Sequence, residues 1–282
     1  SESTLLGSGV FEYEGNSLVN NGEINFADFI FSGTSEQTVT GIGTITNLNI
    51  NNLEGVSLMD VGTLFSGGGS DQIVTSSLTL TQGRINTGPN NLILGAFATV
   101  SGGDNGSYVN GNVELSFDQG NPGPKLAPVG SNGYAPVTLD PSFTGTGAVV
   151  VKTTVNDHPD VLNSGVDAAK SVNRYWTFTN NGLNFTECDV TFNWDPTDVD
   201  GSADPNNFIL GKLDGVSWTQ PVVSARTATS LSVLDLNSFS EFQIGESSEC
   251  IVNIPNASFK AALIANLAIN TNNDDEIQCA EA

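Results

Sequence analysis

The residues best spaced for chemistry lie at the C-terminal end, in the run INTNNDDEIQCAEA from Ile269 to Ala282. Its oxygens can be laid on the twelve-residue calcium loop, whose ligands recur at alternate positions before a closing bidentate carboxylate. Asn270, Asn272 and Asp274 take the first three ligand positions. Glu276 takes the position that binds through its backbone carbonyl, Ile277 the apolar position after it, and Glu281 the closing carboxylate. The first ligand is Asn where the motif has Asp. Asp275 stands where the motif has Gly, so a side chain must enter a sharp turn there. The competing reading is a polar turn whose Asn and Asp residues cap backbone groups.

A second carboxylate-rich stretch, WDPTDVDGSADPNN (Trp194–Asn207), sets Asp195, Asp198, Asp200 and Asp204 in one loop. Asp198 and Asp200 with a backbone carbonyl form a second candidate site for Ca²⁺, although long loops use the same residues for turns. His158, the single histidine, sits in NDHPD between Asp157 and Asp160. No G-x-S-x-G elbow accompanies it, so a Ser-His-Asp triad has little to stand on. Glycoside cleavage needs carboxylates converging on one face. The acids before residue 118 recur at no common position, and Arg84 is the only cation among them. No catalytic residue is therefore assigned.

The elements that must position these groups follow from composition. The chain has 282 residues, 31 acidic and 8 basic, for a net charge of −23. Phosphate contacts need Lys and Arg, so a nucleic-acid surface is excluded. The charge favours solubility and attracts divalent cations. No apolar run approaches the roughly 20 residues of a membrane span. There are 31 glycines, Asn, Thr and Ser abound, and helix formers are scarce before residue 255. This is the composition of an all-β chain rich in turns. Cys188, Cys250 and Cys279 allow one disulfide and one free thiol, or three unpaired residues; no CxxC spacing suggests zinc. Ser1 reads as a processed or engineered start, and the chain as a fragment of something longer.

Residues 1–118 are expected to form the rungs of a short parallel β-helix, with a β-sandwich as the competing fold. Short alternating stretches start about 30 and 35 residues apart. Leu48 and Ile50, Leu78 and Leu80, and Val113 and Leu115 are assigned to one inward face. Val56 and Leu58, Ile85, and Leu92 and Leu94 are assigned to the next faces. Asn47, Asn49, Asn51, Thr79 and Thr81 form outward ladders able to meet a sugar or ice. Residues 119–246 are expected to be an antiparallel β-sandwich, with strands at Ala135–Leu139, Ala148–Thr154, Arg174–Thr179, Cys188–Trp194, Phe208–Leu213, Thr229–Leu234 and Glu241–Ile244. Tyr175, Trp176, Phe178, Phe192, Trp194 and Trp218 would fill its core, and VDAAKSV would be a helical turn. Residues 247–282 comprise a linker and a helix. Pro255 opens that helix, Asn256 or Ser258 caps it, and Phe259, Leu263, Ile264 and Leu267 recur at helical spacing.

Several of these stretches resemble one protein type. NLNINNLEGVSL, SLTLTQGRINTGPNNLILGAFATVSGGDNGSYVNGNV, PVGSNGYAPVTL, SVNRYWTFTNNG and FSEFQIGE are similar to the heads of large secreted, adhesin-like surface proteins of the Bacteroidota, over most of residues 40–246. IPNASFKAALIANLAINTNNDDEIQCAEA resembles the segment that leads into leucine-rich repeats in the same proteins. The resemblance implies β-rungs followed by a sandwich, a parent chain continuing past Ala282, export by the type IX secretion machinery, and an extracellular or outer-membrane-attached location. Together with the residues, it leads us to expect a non-catalytic adhesin or stalk module that attaches to polysaccharide or to a protein on a surface, with Ca²⁺ as its candidate ion. The alternatives are a polysaccharide lyase or hydrolase using the solenoid cleft, and a purely structural spacer.

Overall fold

The structure, a computed structural model, describes residues 4–60, 69–120, 123–248, 252, 254–271, 275 and 277. It begins as a three-sided parallel β-solenoid of about 6 turns. On one side Leu5, Ile24, Ile45, Val74, Leu94 and Leu115 pair in register from coil to coil. On the second side Phe11, Phe29, Leu48, Leu78 and Val100 stack. On the third, Gln37, Val56, Ile85, Val109 and Val129 do so. Each coil buries only its inward positions, and stacking joins them into one apolar column.

Two expectations about the solenoid are corrected. The first ladder advances by 19, 21, 29, 20 and 21 residues, so one coil is about 20 residues rather than 30 to 35. The longer step spans 45 to 74 and masked the period in the sequence. Leu48/Ile50 and Leu78/Leu80 do share a side, but Val113/Leu115 stack on Leu92/Leu94 instead. The chain turns a corner at Gly111, where φ is 129° and a Cβ would lie 2.1 Å from Thr87 Oγ1. Val109 therefore stays on one side of the solenoid while Val113 starts another.

Buried amides hold the other corners. Asn20 Nδ2 donates to Gln72 Oε1 at 2.8 Å, and Gln72 Nε2 donates to Gly41 O at 2.6 Å. Asn52 Nδ2 donates to Gln37 Oε1 at 2.9 Å, while Gln37 Nε2 reaches the Tyr13 and Gly15 carbonyls at 2.8 Å. A corner leaves backbone groups without ladder partners, and burial makes an unmade bond costly; the amides supply those bonds.

The solenoid strand Val109–Asp118 pairs antiparallel with Thr146–Val155. The solenoid sheet thus runs without a break into the sandwich, across the expected boundary at 118/119. It continues through Val166–Asn181, Glu241–Ser247, Phe208–Asp214 and Ser217–Thr219. A second sheet, ordered Lys125–Ala127, Val137–Thr144, Asn184–Asn193, Ser230–Leu236, Val223–Arg226, packs against it. VDAAKSV is not helical: it opens the Val166–Asn181 strand, where pairing with Glu241–Ser247 overrides the helix propensity of its alanines. Trp176, Phe178, Phe192 and Phe242 fill the space between the sheets with ring centroids 4.9 to 5.6 Å apart. Trp194 is buried beside Phe208. Tyr175 and Trp218 leave the expected core, because strand alternation turns Tyr175 outward and Trp218 sits on the edge strand.

The helix forms at Ala257–Ile264, capped by Asn256 Oδ1 accepting from Phe259 N at 2.9 Å. None of its residues is buried, and Phe259 and Leu267 are exposed.

At the solenoid–sandwich join, Glu114 Oε2 accepts from Asn91 Nδ2 (3.4 Å) and Asn181 Nδ2 (3.3 Å). Burial, aided by the nearby Asp71 charge and opposed by the Asn181 bond, raises its carboxyl above the usual range. A raised folded-state value means stability present at acid pH and lost as pH rises through that value. Glu114→Gln is expected to raise the urea midpoint at pH 7, for a gain in unfolding free energy of less than about 1 kcal/mol because solvent reaches the site. The difference should vanish below about pH 4, where both states bind the proton.

Candidate functional site

The aspartates of the 194–207 loop are each held by protein donors. Asp195 and Asp204 cap short 3₁₀ turns, accepting from Thr197 N (2.8 Å) and Asn206 N (3.0 Å). Hydrogen bonds from Thr197, first, and from Asn105 hold the Asp195 carboxyl below the usual range. Asp198 Oδ2 receives Arg174 Nε at 2.8 Å and Arg174 Nη2 at 2.7 Å. Asp200 accepts from Ser171 N (2.9 Å) through Oδ2 and from Asn173 Nδ2 (3.0 Å) through Oδ1. Protein donors thus occupy Asp198 Oδ2 and both carboxylate oxygens of Asp200, the groups offered as candidate ligands. Among the described residues, no three or more His, Cys, Asp or Glu side chains gather so as to hold a metal ion.

Arg174 belongs to no catalytic or metal-binding motif of the sequence. It is 0% exposed. Besides Asp198 it reaches Thr153 Oγ1 and the Ser131 carbonyl, both at 3.3 Å. Asn105, in a solenoid corner, donates to Asp195 Oδ2 and accepts from Tyr134 N at 2.9 Å. One guanidinium thus ties the last solenoid corner, the sandwich sheet and the aspartate loop together. A signal was present: in RYWTF, Arg174 occupies the same inward parity as Trp176 and Phe178, and alternation alone buries it.

His158 is 7% exposed and lies on the outer side of the sandwich sheet. Its Nδ1 accepts from Asp160 N at 3.0 Å, which places the ring proton on Nε2, and Nε2 donates to Glu241 Oε2 at 2.9 Å. The ring stands edge-on to Tyr175 and Trp218, with centroids 5.0 Å from each. Trp218 Nε1 donates to Asp160 Oδ2 at 2.8 Å. That bond, reinforced by Asn163, holds the Asp160 carboxyl below the usual range. Ser171 Oγ donates to Asp157 Oδ1 at 2.6 Å, and burial raises Asp157. Both imidazole nitrogens are engaged, and among the described residues no hydroxyl is hydrogen-bonded to the ring. The cluster is a packed polar patch without the geometry of a nucleophile and its base.

The outward side chains of the solenoid stand in columns. Asn47, Ser77 and Thr99 are paired in register, as are Asn49, Thr79 and Ser101 on the same side, and Ser57, Asn86 and Asn110 on another. Rungs of a parallel sheet repeat about every 4.8 Å. Side chains bridge neighbouring rungs: Ser77 Oγ to Asn47 Oδ1 and Thr81 Oγ1 to Asn49 Oδ1 at 2.9 Å, Asn110 Nδ2 to Asn86 Oδ1 at 3.0 Å.

At the C-terminal end, Asn270 is buried and its Nδ2 donates to Ile264 O at 3.1 Å, closing the end of the helix. Ile277 is buried and its carbonyl accepts from Val252 N. Asn272, Asp274, Glu276 and Glu281 lie outside the described residues, as do Cys250 and Cys279. Cys188 is a free, buried thiol, and burial pushes it up to about 12, so it is inert as a nucleophile at neutral pH.

No protein-family model, curated protein or solved structure matches this chain.

Proposed function

We propose that this chain is a non-catalytic extracellular module, a stiff stalk and adhesive segment of a larger secreted surface protein that attaches to polysaccharide or to a partner surface. The observation that carries the reading is the unbroken sheet from solenoid to sandwich, locked by Arg174, with regular Asn, Ser and Thr columns facing outward. Such an element transmits reach without a hinge, and its columns offer repeated donors and acceptors to a repeating polymer. The resemblance to Bacteroidota adhesins supports export by the type IX secretion machinery and an outer-membrane-attached location. No helix among the described residues is long and apolar enough to cross a membrane. Calcium belongs to the proposal through the spacing of Asn270, Asn272, Asp274, Glu276 and Glu281.

The test is binding of the chain to a panel of polysaccharides and cell surfaces, with Ca²⁺ and then with chelator, while reducing ends are followed in the same wells. Binding without product is expected, weakened by chelation. Released product would overturn the non-catalytic reading in favour of a polysaccharide-cleaving enzyme. Absence of binding under both conditions would leave a structural spacer.

A further inference from the structure

One groove is built differently from the solenoid columns. It has a volume of about 920 Å³ and lies where the strands Val137–Thr144 and Asn184–Asn193 end beside the turn after residue 118. Asp140, Ser142, Phe143, Asn184, Thr186 and Gln119 line it. A register shift makes it: Ser142 pairs with Glu187 but Phe143 with Phe185, so Thr186 is extra and bulges out, its hydroxyl donating to Ser142 O at 3.3 Å. Bulges of this kind re-aim side chains and are common beside binding sites. Phe143 is half-buried, one edge packed on Phe117 with centroids 5.5 Å apart.

Two features point outward from this groove to a ligand. Asp140 and Gln119 are exposed at the groove, and neither the carboxylate nor the amide is taken up by a hydrogen bond or ion pair to the described residues. Asp140 also stands directly across the ladder from Asp189, with no cation bridging them. Like charges in directly opposed positions repel, and of the two it is Asp189 that is engaged, accepting from Asp235 N at 3.1 Å. The lining holds no Lys, Arg or His, and the chain carries a net charge of −23, so an anionic ligand is repelled.

We propose that this groove binds a neutral oligosaccharide segment. Asp140 and Gln119 accept from and donate to ring hydroxyls, Asn184 supplies the amide oxygen left free by its bond to Thr144 (Nδ2 to Oγ1, 3.1 Å), and a sugar face lies on Phe143. The proposal rests on the attachment reading above and gives it a place and a ligand class.

The test uses the full chain and calorimetric titration with neutral glucan and mannan hexasaccharides and, in parallel, a galacturonate hexasaccharide. Wild type is expected to bind one neutral probe and to bind galacturonate at least about ten-fold more weakly. Asp140→Asn keeps shape, removes the charge and relieves the pair with Asp189. It is expected to weaken binding about ten-fold, the size of one charge-assisted hydrogen bond, while the thermal midpoint is unchanged or raised. Phe143→Leu should weaken binding while leaving circular dichroism unchanged. Neutral-sugar binding that survives both substitutions would overturn the groove but leave surface attachment standing. Failure of wild type to bind any neutral probe would overturn the groove as well, and the attachment reading would then be decided by the surface panel alone.

Discussion

Arg174→Met is expected to destabilise the protein by about 3–5 kcal/mol, the usual consequence of removing one partner of a buried ion pair. The substitution leaves the Asp198 carboxylate, which is 14% exposed, facing an apolar side chain, and strips hydrogen bonds from Thr153 and the Ser131 carbonyl. The loss is not confined to one contact, because Asp198 also closes the capping box with Asp195, and Asp195 holds Asn105 of the solenoid. Urea unfolding at pH 7 measures it. Asp198→Asn in the Arg174→Met background should recover part of the loss, because the stranded charge disappears. If the single substitution costs less than about 1 kcal/mol, the range of an exposed pair, Arg174 does not lock the two parts together. The stalk reading would then lose its main physical support.

Trp176→Ala is expected to cost a similar amount, about 3–5 kcal/mol, and Trp218→Ala about 1 kcal/mol. The two tryptophans read alike in the sequence, yet they differ in surroundings. Trp176 is 0% exposed, sits edge-on to Phe192 at 5.2 Å and donates through Nε1 to Ala135 O at 3.4 Å. Deleting its indole opens a cavity between two rigid sheets that cannot close. Trp218 lies on the last strand of the sheet, against His158, and its truncation exposes that ring to water without opening a void. Thermal unfolding of both variants separates the cases, and equal losses would contradict the packing described here.

How far the sequence reached can be argued from particular residues. Alternation was enough to find inward ladders, and Leu48/Ile50 over Leu78/Leu80 was legible because coils that meet on the same side repeat the same apolar spacing. The coil length was not, because the long step from Ile45 to Val74 breaks the period and Gly111 changes side within a single apolar run. The seven expected strands of 119–246 all form, but the short strands Lys125–Ala127, Ser217–Thr219 and Val223–Arg226 were not legible, and Val166–Asn181 begins well before the expected Arg174. The alanines of VDAAKSV were misread because helix propensity is local, whereas the ladder pairing of Val166 with Ser247 and of Ser171 with Gly245 is not.

For the candidate sites the division is sharper. Composition by itself argued against a nucleic-acid surface, since eight cations in 282 residues offer few phosphate contacts. Spacing by itself located the carboxylate-rich loop. Where those carboxylates point was decided only in three dimensions, because Arg174, Ser171 and Asn173 lie on a neighbouring strand and compete for the oxygens a cation would need. The groove at Asp140 was likewise invisible beforehand: it arises from a one-residue register shift between strands about 45 residues apart, which no local pattern encodes. Residue type and parity determined what each strand would bury. Long-range pairing decided which polar groups were left without a partner, and those are the groups free to meet a ligand.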